Sequence, residues 1–476
     1  MIMRTINKIL LFLLLTGIWS CDSWLDVKPS DQVSENKVFE SEKGFYSALN
    51  GIYIELIKPE LYGVTLSCEM VELLAQRYNP KTDNTNYKEL VEFKYKEKYA
   101  KERLQSTWNA VYKLILDCNV ILENAETHRD VLSDRAYGVV KGEALALRAF
   151  LHFDMLRLFG PVYQQHAASQ SIPYAEKVTV SASDILPADS VKTKILRDLS
   201  MAENLLLTTD PVITDGPQMV EQSDNTYAFR CLRLNYYAVL ALQARVYLYA
   251  NDQENARRYA LKVIEDEKVK EYFPFTGYED IVGNKAFPDR VFSSEMLFGL
   301  YNTERNEIYK NYFDEENAAS NLLLPRLGTI EALYAGEEGD YRYSIWQSSR
   351  VPGDNSLLCY RLKDVGATGL YDDLMPLIRI GELYLIAAEC GINDTESYGY
   401  LNTLRNNRGL VQVSENLETH LEHEYQKEFL CEGQLFFFYK RKNTPVLISP
   451  LTGKKVTMSE SAYVPPLPES ETKYRN

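Results

Sequence analysis

The chain has 476 residues, of which 45% are hydrophobic and 25% are charged, so it is long enough to fold around a large core. This composition excludes an intrinsically disordered or collagen-like chain. The 67 acidic and 52 basic side chains give a net charge of −15, which argues against a nucleic-acid-binding surface.

The first twenty residues have the pattern of a bacterial secretory signal. Arg4 and Lys8 precede the apolar run 9–15, which is too short to cross a bilayer as a helix. The next residues, Ile18 to Cys21, are similar to a lipobox, in which the cysteine is acylated and begins the mature chain. We therefore predict a signal peptide at 1–20 and lipidation at Cys21. The alternatives are a membrane anchor helix and ordinary signal-peptide cleavage that leaves a soluble periplasmic protein.

Helical periodicity dominates the rest of the chain. Apolar side chains recur at steps of three, four and seven residues, and breaks such as Gly160-Pro161 end the runs. Adjacent helices with short connections are typical of a tetratricopeptide-like helix-pair solenoid, and an irregular all-α protein is the alternative. We predict helices over 108–122, 138–159, 230–249, 378–390, about 397–408 and 418 to about 439, with a further one opening at Ala256.

A long segment at 271–376 lacks this periodicity. It is rich in Gly, Pro and aromatic residues, with a weak strand signal at 295–300. Because a hundred residues cannot form a plain loop in a compact protein, we predict a large irregular, ligand-facing subdomain inserted before the last helix pairs. The helical frame then comprises about 40–268 and 376–441, and the Pro-rich tail 442–476 is predicted to pack as an extended strap.

No catalytic motif is recognisable in the sequence. A phosphate-binding glycine loop, a Gly-x-Ser-x-Gly elbow and a His-Glu-x-x-His pair are all missing, so we predict that the protein is not an enzyme. His152 lies in an apolar helix and is predicted to be a hydrogen-bonded core residue, and the pair His420 and His423 is interpreted as a solvated helix face rather than a metal site. We predict no organic cofactor.

Acidic clusters occur at 314–316, 337–340 and 372–373. We interpret them as solvated turns, with a structural calcium ion as the alternative.

Aromatic residues are concentrated in the irregular segment. Residues 271–346 contain fifteen Phe, Tyr or Trp among 76 residues, where the average of 12% predicts about nine. Many have polar neighbours, and flat rings beside hydrogen-bonding groups suit the apolar faces and hydroxyl rims of sugars, or an extended peptide. The alternative is that the rings form the subdomain's own core.

The order and spacing of several blocks resemble the SusD/RagB family of outer-membrane nutrient-binding lipoproteins, over nearly the whole mature chain. One strong block is the Gly-Glu-Ala-Leu-Ala-Leu-Arg-Ala-Phe sequence at 142–150, and another is the Arg-Ile-Gly-Glu-Leu-Tyr sequence that opens 379–389. Shorter blocks are Trp24-Leu25-Asp26, Arg405-x-x-Arg408-Gly409 and Pro466-Leu467-Pro468. The stretch 434–438 departs from the usual family continuation.

The resemblance implies four tetratricopeptide-like helix pairs carrying an irregular ligand-facing subdomain. It also implies a lipid-anchored outer-membrane protein that faces the cell exterior and acts as a hinged lid on a SusC-like TonB-dependent transporter barrel. The cargo would be oligosaccharides, or peptides as in the RagB branch, and a non-nutrient envelope scaffold is a further alternative. We interpret Glu143 with Arg148, and Arg379 with Glu382, as helix-packing ion pairs.

Ligand residues follow no shared motif in this family, so we predict them from position and chemistry. The candidates are the loop Arg77, Tyr78, Asn79 to Asp83 and the aromatic group Tyr301, Tyr309, Tyr341, Tyr343 and Trp346.

Overall fold

The computed structural model describes residues 37–283, 286–316, 318–366 and 370–473. The predicted signal peptide and Cys21 lie outside the described residues. Within those ranges, no helix is both long enough and apolar enough to cross a membrane.

Helices form most of the first half of the chain, and a side chain caps the first turn of several of them. Ser133 accepts a hydrogen bond from the backbone of Ala136 at 3.2 Å, and Asn235 accepts one from Ala238 at 3.0 Å. The helices are α1 (Glu42–Leu56), α2 (Met70–Leu74), α3 (Thr85–Val91), α4 (Lys98–Thr127), α5 (Asp134–Phe159), α6 (Tyr163–His166), α7 (Ala188–Thr209), α8 (Val212–Asp215), α9 (Tyr236–Tyr249), α10 (Gln253–Ile264) and α11 (Glu267–Tyr272).

The second half alternates short strands and helices. Its helices are α12 (Arg305–Tyr312), α13 (Thr329–Leu333), α14 (Ile380–Glu389), α15 (Asp394–Asn406), α16 (Leu417–Glu428), α17 (Leu435–Arg441), α18 (Glu460–Tyr463) and α19 (Glu469–Thr472). The strands of the whole described chain are β1 (Gln170–Pro173), β2 (Ile185–Pro187), β3 (Met296–Tyr301), β4 (Trp346–Ser348), β5 (Leu357–Cys359), β6 (Leu374–Arg379), β7 (Val446–Ile448) and β8 (Lys455–Thr457).

The long helices pack in sequence as pairs. α1 packs on α4, α5 on α7, α9 on α10 and α14 on α15, and contacts of α7 with α9 and of α10 with α14 join successive pairs. The predicted mainly α fold, a solenoid of tetratricopeptide-like helix pairs, is therefore confirmed. The periodicity did not reveal α1 and α7, and α4 begins ten residues before the predicted start because its first turns carry few apolar side chains.

The predicted helix over 418–439 is wrong, because the chain leaves the helical conformation between α16 and α17. Cys431 and Gly433 have φ values of 57° and 67° in the left-handed region. At Gly433 the backbone passes so close to Leu66 that a Cβ would lie 2.0 Å from its carbonyl oxygen. The backbone contact with residue 66 therefore requires a break here, and glycine permits it.

The irregular segment, the tail and the connection between α6 and α7 contain small sheets. β3, in the first third of the irregular segment, pairs antiparallel with β6, which leads directly into α14, so the segment is joined to the frame by a ladder. β4 pairs with β5, and β1 with β2. The tail is not a simple extended strap, because β7 and β8 form a hairpin and two single-turn helices follow.

A buried cluster of charges lies between the irregular segment and the last helices. Arg379 and Arg408 come from the frame, and both contact Glu295 of the irregular segment and Glu428 of α16. Six cations and six carboxylates alternate in this charge cluster, so their formal charges cancel. Its members are Glu295, Glu337, Asp340, Arg342, Arg361, Arg379, Arg405, Arg408, Glu424, Lys427, Glu428 and Glu432.

Glu428 occupies the centre of the charge cluster. It accepts hydrogen bonds from Arg379 at 2.6 Å, from Arg408 at 2.6 Å and from Arg342 at 2.9 Å. Burial alone would raise its pKa, but the three guanidinium groups outweigh burial and hold the pKa of Glu428 well below its usual range. The carboxylate is therefore ionised throughout the neutral range.

The four residues interpreted as helix-packing ion pairs are buried and paired, but with other partners. Glu143 binds Arg230 at 2.6 Å, and Arg148 binds an aspartate of α7 at 2.7 Å. Arg379 belongs to the charge cluster, and Glu382 binds Arg245 of α9. The pairs connect separate elements because each long side chain reaches across a helix interface rather than along its own helix.

His152 is the core residue that the sequence predicts. Its Nε2 atom accepts a hydrogen bond from the backbone of Ala175 at 3.0 Å, and its Nδ1 atom lies 2.8 Å from the carbonyl oxygen of Arg148. Nε2 must therefore be unprotonated, and the proton sits on Nδ1. Burial lowers the pKa of His152 to about 3.

We expect Arg379→Met to destabilise the protein by roughly 3–5 kcal/mol, because Glu428 and Glu432 would lose a buried partner. Urea unfolding followed by circular dichroism measures the change. Lys310→Met is the matched control, since Lys310 pairs with Glu307 on the surface and its loss should leave the stability almost unchanged. Equal small decreases in the free energy of unfolding of both variants would show that the charge cluster contributes nothing to stability.

We expect His152 to make the protein less stable as the pH falls from about 6.5 towards 3. In this window the unfolded chain, with the ordinary histidine pKa of 6.5, binds a proton that the folded chain with a pKa of about 3 does not. The loss is on the order of 1.4 kcal/mol per pH unit. Urea midpoints at pH 7, 6, 5 and 4 should converge between wild type and His152→Gln as the pH falls, and parallel curves would contradict the assignment.

Candidate functional site

An open groove lies where the irregular segment meets the frame. Its volume is ≈ 1100 Å³, just above the range of about 300–1,000 Å³ that is usual for small-molecule sites. Four parts of the chain line it: the segment 217–232, the end of α11, the turn before β3, and the ends of β3 and β6 where these two strands pair. The groove is therefore large enough in volume for a ligand of several linked units.

The segment 217–232 forms one wall as a closed surface loop. Its two ends are joined by backbone hydrogen bonds, from Phe229 to Gln218 at 3.0 Å and from Arg230 to Pro217 at 2.7 Å. Gln218 and Phe229 both have positive φ values, of 51° and 53°, so the backbone is strained where the loop closes. Between these ends the loop projects into solvent, and Val220 is exposed.

Buried polar contacts attach this wall to the helical frame. Arg230 is fully buried and donates two hydrogen bonds of 2.9 Å to Asp210, at the end of α7, and one to Glu143 of α5. Asn235 donates to the carbonyl oxygens of Arg230 and Leu297, at 2.9 and 2.7 Å, and so links the loop to β3. The position of the wall is thus set by the interior of the protein.

Gly216 permits the close approach of the wall to α11. Its φ is +70°, and a Cβ at this position would lie 3.0 Å from the ring of Tyr272, which lines the groove. The Tyr272 hydroxyl donates to the carbonyl oxygen of Thr214 at 2.9 Å. A side chain at 216 would therefore displace an aromatic ring of the groove.

Tyr301 stands at the mouth of the groove, at the last position of the β3–β6 ladder. Its ring is 40% exposed, and its hydroxyl hydrogen-bonds to Asp373, which raises the pKa of Tyr301. Asp373 is held in turn by its own backbone, because its carbonyl oxygen accepts from Asn302 at 2.7 Å. Ring and carboxylate are therefore presented together, as an apolar face beside a hydrogen-bond acceptor.

Below the mouth, the groove is lined mainly by apolar and sulfur-containing side chains. Phe273 and Met296 are buried at its base, and Met219 contacts Cys231. Burial raises the pKa of the Cys231 thiol to about 12, so it is a neutral thiol at physiological pH. Ser293 and Ser294, at the turn before β3, add hydroxyl groups to this surface.

The predicted loop at 77–83 lies elsewhere and mostly serves to join the frame to the irregular segment. Arg77 binds Glu72 and donates to the carbonyl oxygen of Gln426 at 2.9 Å, and Tyr78 is completely buried. The backbone of Asn79 donates to residue 324 at 2.7 Å, while Asp83 is exposed. The expectation that Arg77 and Tyr78 face a ligand is wrong, because their polar groups are committed to internal contacts.

The predicted aromatic group is divided between the core and the surface. Tyr309 and Trp346 are buried, the first against Tyr360 with ring centroids 5.6 Å apart, so the expectation of open ring faces is wrong for both. Tyr341 is half-buried with its ring edge against Tyr278.

Tyr343, by contrast, is 37% exposed beside Tyr334. Of the predicted residues, Tyr301 lines the groove.

Sequence reasoning missed the other groove residues because their segments carry no periodic signal. Phe229, Tyr272 and Met296 come from three separate parts of the chain, and only the fold brings them together. The Gly216-Pro217 pair and the polar run 221–226 mark a surface loop, which was the one local indication available.

The acidic turn at 337–340 is not solvated as predicted. Asp340 is buried against Arg342, and Glu337 binds Lys427 and Arg405. Burial alone would raise the pKa of Glu337, but these two cations outweigh it and lower the pKa to about 2. Across the described part of the chain, no group of three or more His, Cys, Asp or Glu side chains is arranged to hold a metal ion.

Comparisons with known proteins give one consistent result. Residues 23–248 match a SusD-like family model described as "Starch-binding associating with outer membrane", and residues 292–467 match the model described as "SusD family". A SusD-like protein of Formosa agariphila is 23% identical, over 94% of each chain.

Solved structures with the same fold include a SusD superfamily protein of Bacteroides thetaiotaomicron, with a TM-score of 0.72, 20% identity, and 91% of this chain and 98% of the other covered. A second is the surface glycan-binding protein A of the same organism, with a TM-score of 0.64, 17% identity, and 91% and 97% covered.

Proposed function

Because the chain belongs to the SusD family of outer-membrane glycan-binding proteins, we propose that it captures oligosaccharides in the groove beside Tyr301. The groove is the observation that supports this proposal. It offers an open channel, an exposed ring at Tyr301, a half-buried ring at Tyr272, and a carboxylate at its mouth. Sugar rings have apolar C–H faces and hydroxyl edges, and this lining has a partner for each.

Binding of a ligand without catalysis agrees with the family, whose members are binding proteins rather than enzymes. The buried thiol of Cys231 is neutral, and it is the one sulfhydryl among the described residues of the groove lining. A protein of this kind concentrates its ligand and releases it intact.

The proposal includes a lipid anchor at Cys21 and delivery of the captured glycan to a SusC-like TonB-dependent transporter barrel. The family is associated with the outer membrane. The mature chain would lose Arg4 and Lys8 with the signal peptide and carry a net charge of −17, which favours a body that stands away from anionic headgroups. The protein would then cover the transporter as a lid on the cell exterior.

We expect Tyr301→Ala to weaken glycan binding roughly two- to tenfold, the loss of about 0.5–1.5 kcal/mol that is usual for one stacked ring. Affinity electrophoresis in gels that contain soluble starch, xylan or mannan measures the retention.

Tyr343→Ala is the matched control, because Tyr343 is equally exposed but lies outside the groove. Loss of retention in Tyr343→Ala but not in Tyr301→Ala would move the site to the Tyr334–Tyr343 surface. If calorimetry detects binding heat with peptide pools and none with glycans, the ligand is a peptide rather than a glycan.

We expect Cys21→Ser to release the protein from the membrane fraction, because no acylated cysteine would remain to hold it. Metabolic labelling with an alkyne fatty acid and protease treatment of whole cells measure acylation and surface exposure. The wild-type protein should be labelled and accessible to protease. Label in Cys21→Ser, or an unlabelled wild type, would contradict the anchor.

A further inference from the structure

The charged side chains that line the groove are all acidic. They are Glu221, on the exposed loop, and Asp373, beside Tyr301. Among the described residues that line it, there is no lysine, arginine or histidine. A ligand in the groove therefore meets negative charge with no neighbouring cation in the lining to offset it.

A positive charge beside the neighbouring Asp372 is buried in the protein. Arg305 is buried and donates to the carbonyl oxygen of Leu374 at 3.0 Å, and it lies 3.6 Å from Asp372. Arg305 is not part of the groove lining. Its charge interacts with Asp372 and Asp373 from inside the protein rather than from the groove surface.

The surroundings strengthen this negative field. Phe273, Met296 and Leu374 give the base of the groove an apolar surface, and electrostatic interactions are stronger beside apolar groups than in bulk water. The hydrogen bond with the Tyr301 hydroxyl places the Asp373 carboxylate beside the exposed ring at the mouth of the groove. Discrimination then comes from repulsion of the wrong ligand as well as attraction of the right one.

From these observations, and resting on the proposed function, we infer that the groove selects uncharged oligosaccharides and rejects glycans that carry carboxylate or sulfate groups. The apolar base and the stacking ring of Tyr301 accept a neutral sugar chain. Glu221 and Asp373 are the specificity-determining residues.

The test compares each neutral glycan with its own carboxylated form. The probes are soluble α-glucan, β-glucan and mannan, each used directly and after oxidation of its C6 hydroxyls to carboxylates, in affinity electrophoresis at low salt. We expect the wild-type protein to bind the oxidised form of its glycan about tenfold more weakly, the effect of like charges a few ångströms apart in partly screened surroundings.

Removing the two carboxylates should reduce the difference in affinity between the neutral glycan and its oxidised form. The double variant Glu221→Gln with Asp373→Asn keeps the shape of both side chains, and the amide oxygen introduced by Asp373→Asn can still accept from the Tyr301 hydroxyl. Glu415→Gln, an exposed carboxylate outside the groove, is the matched control and should leave the difference unchanged. Thermal melting checks that each variant is folded.

The outcomes separate this inference from the function on which it rests. Equal or stronger binding of the oxidised glycans, or a difference that the double variant leaves intact, would overturn the charge selection while glycan capture stands. No binding of any neutral or oxidised glycan would refute glycan capture itself, and the selection with it.

Discussion

The buried charge cluster is the interaction on which the rest of the structure depends. A guanidinium or carboxylate taken out of water is costly unless every charge meets a partner of opposite sign. Here Glu295 and Arg342 of the irregular segment complete the coordination of Arg408 and Glu428 of the frame. The irregular segment can therefore pack against the last helices in one arrangement only, because any shift leaves buried charges unpaired. The β3–β6 ladder, which forms one edge of the groove, is held in register by the same contacts.

Buried ion pairs also hold the opposite wall of the groove, although fewer charges take part there. Arg230 joins the base of the loop 217–232 to Asp210 and Glu143 of the frame. Both walls thus rest on buried ion pairs, while between those supports Val220, Glu221 and the ring of Tyr301 are exposed to a ligand. Such a division suits a family of binding proteins, since the ligand-facing loop can differ between members without disturbing the helices that carry it.

The frame could be predicted from the sequence, whereas most of the site could not. The helices around Leu147 and Ile386 are buried on nearly every side, and their long runs rich in apolar residues are visible in any single sequence. The irregular segment was recognised by its lack of periodicity, but its aromatic residues were ambiguous. Trp346 and Tyr309 belong to the core and Tyr301 to the groove, although all three have polar neighbours in sequence, because burial is decided by partners far away in the chain. The sequence did not reveal the charge cluster for the same reason, because Glu428, a partner of Arg379, is 49 residues away in the chain.

A crystal structure of the protein grown with a neutral oligosaccharide that it retains would test the central claim most directly. The account predicts a sugar chain in the groove, with one ring stacked on Tyr301 and its hydroxyls within hydrogen-bond distance of Asp373. A sugar bound at another surface, with the groove empty and the loop 217–232 in its present position, would contradict it.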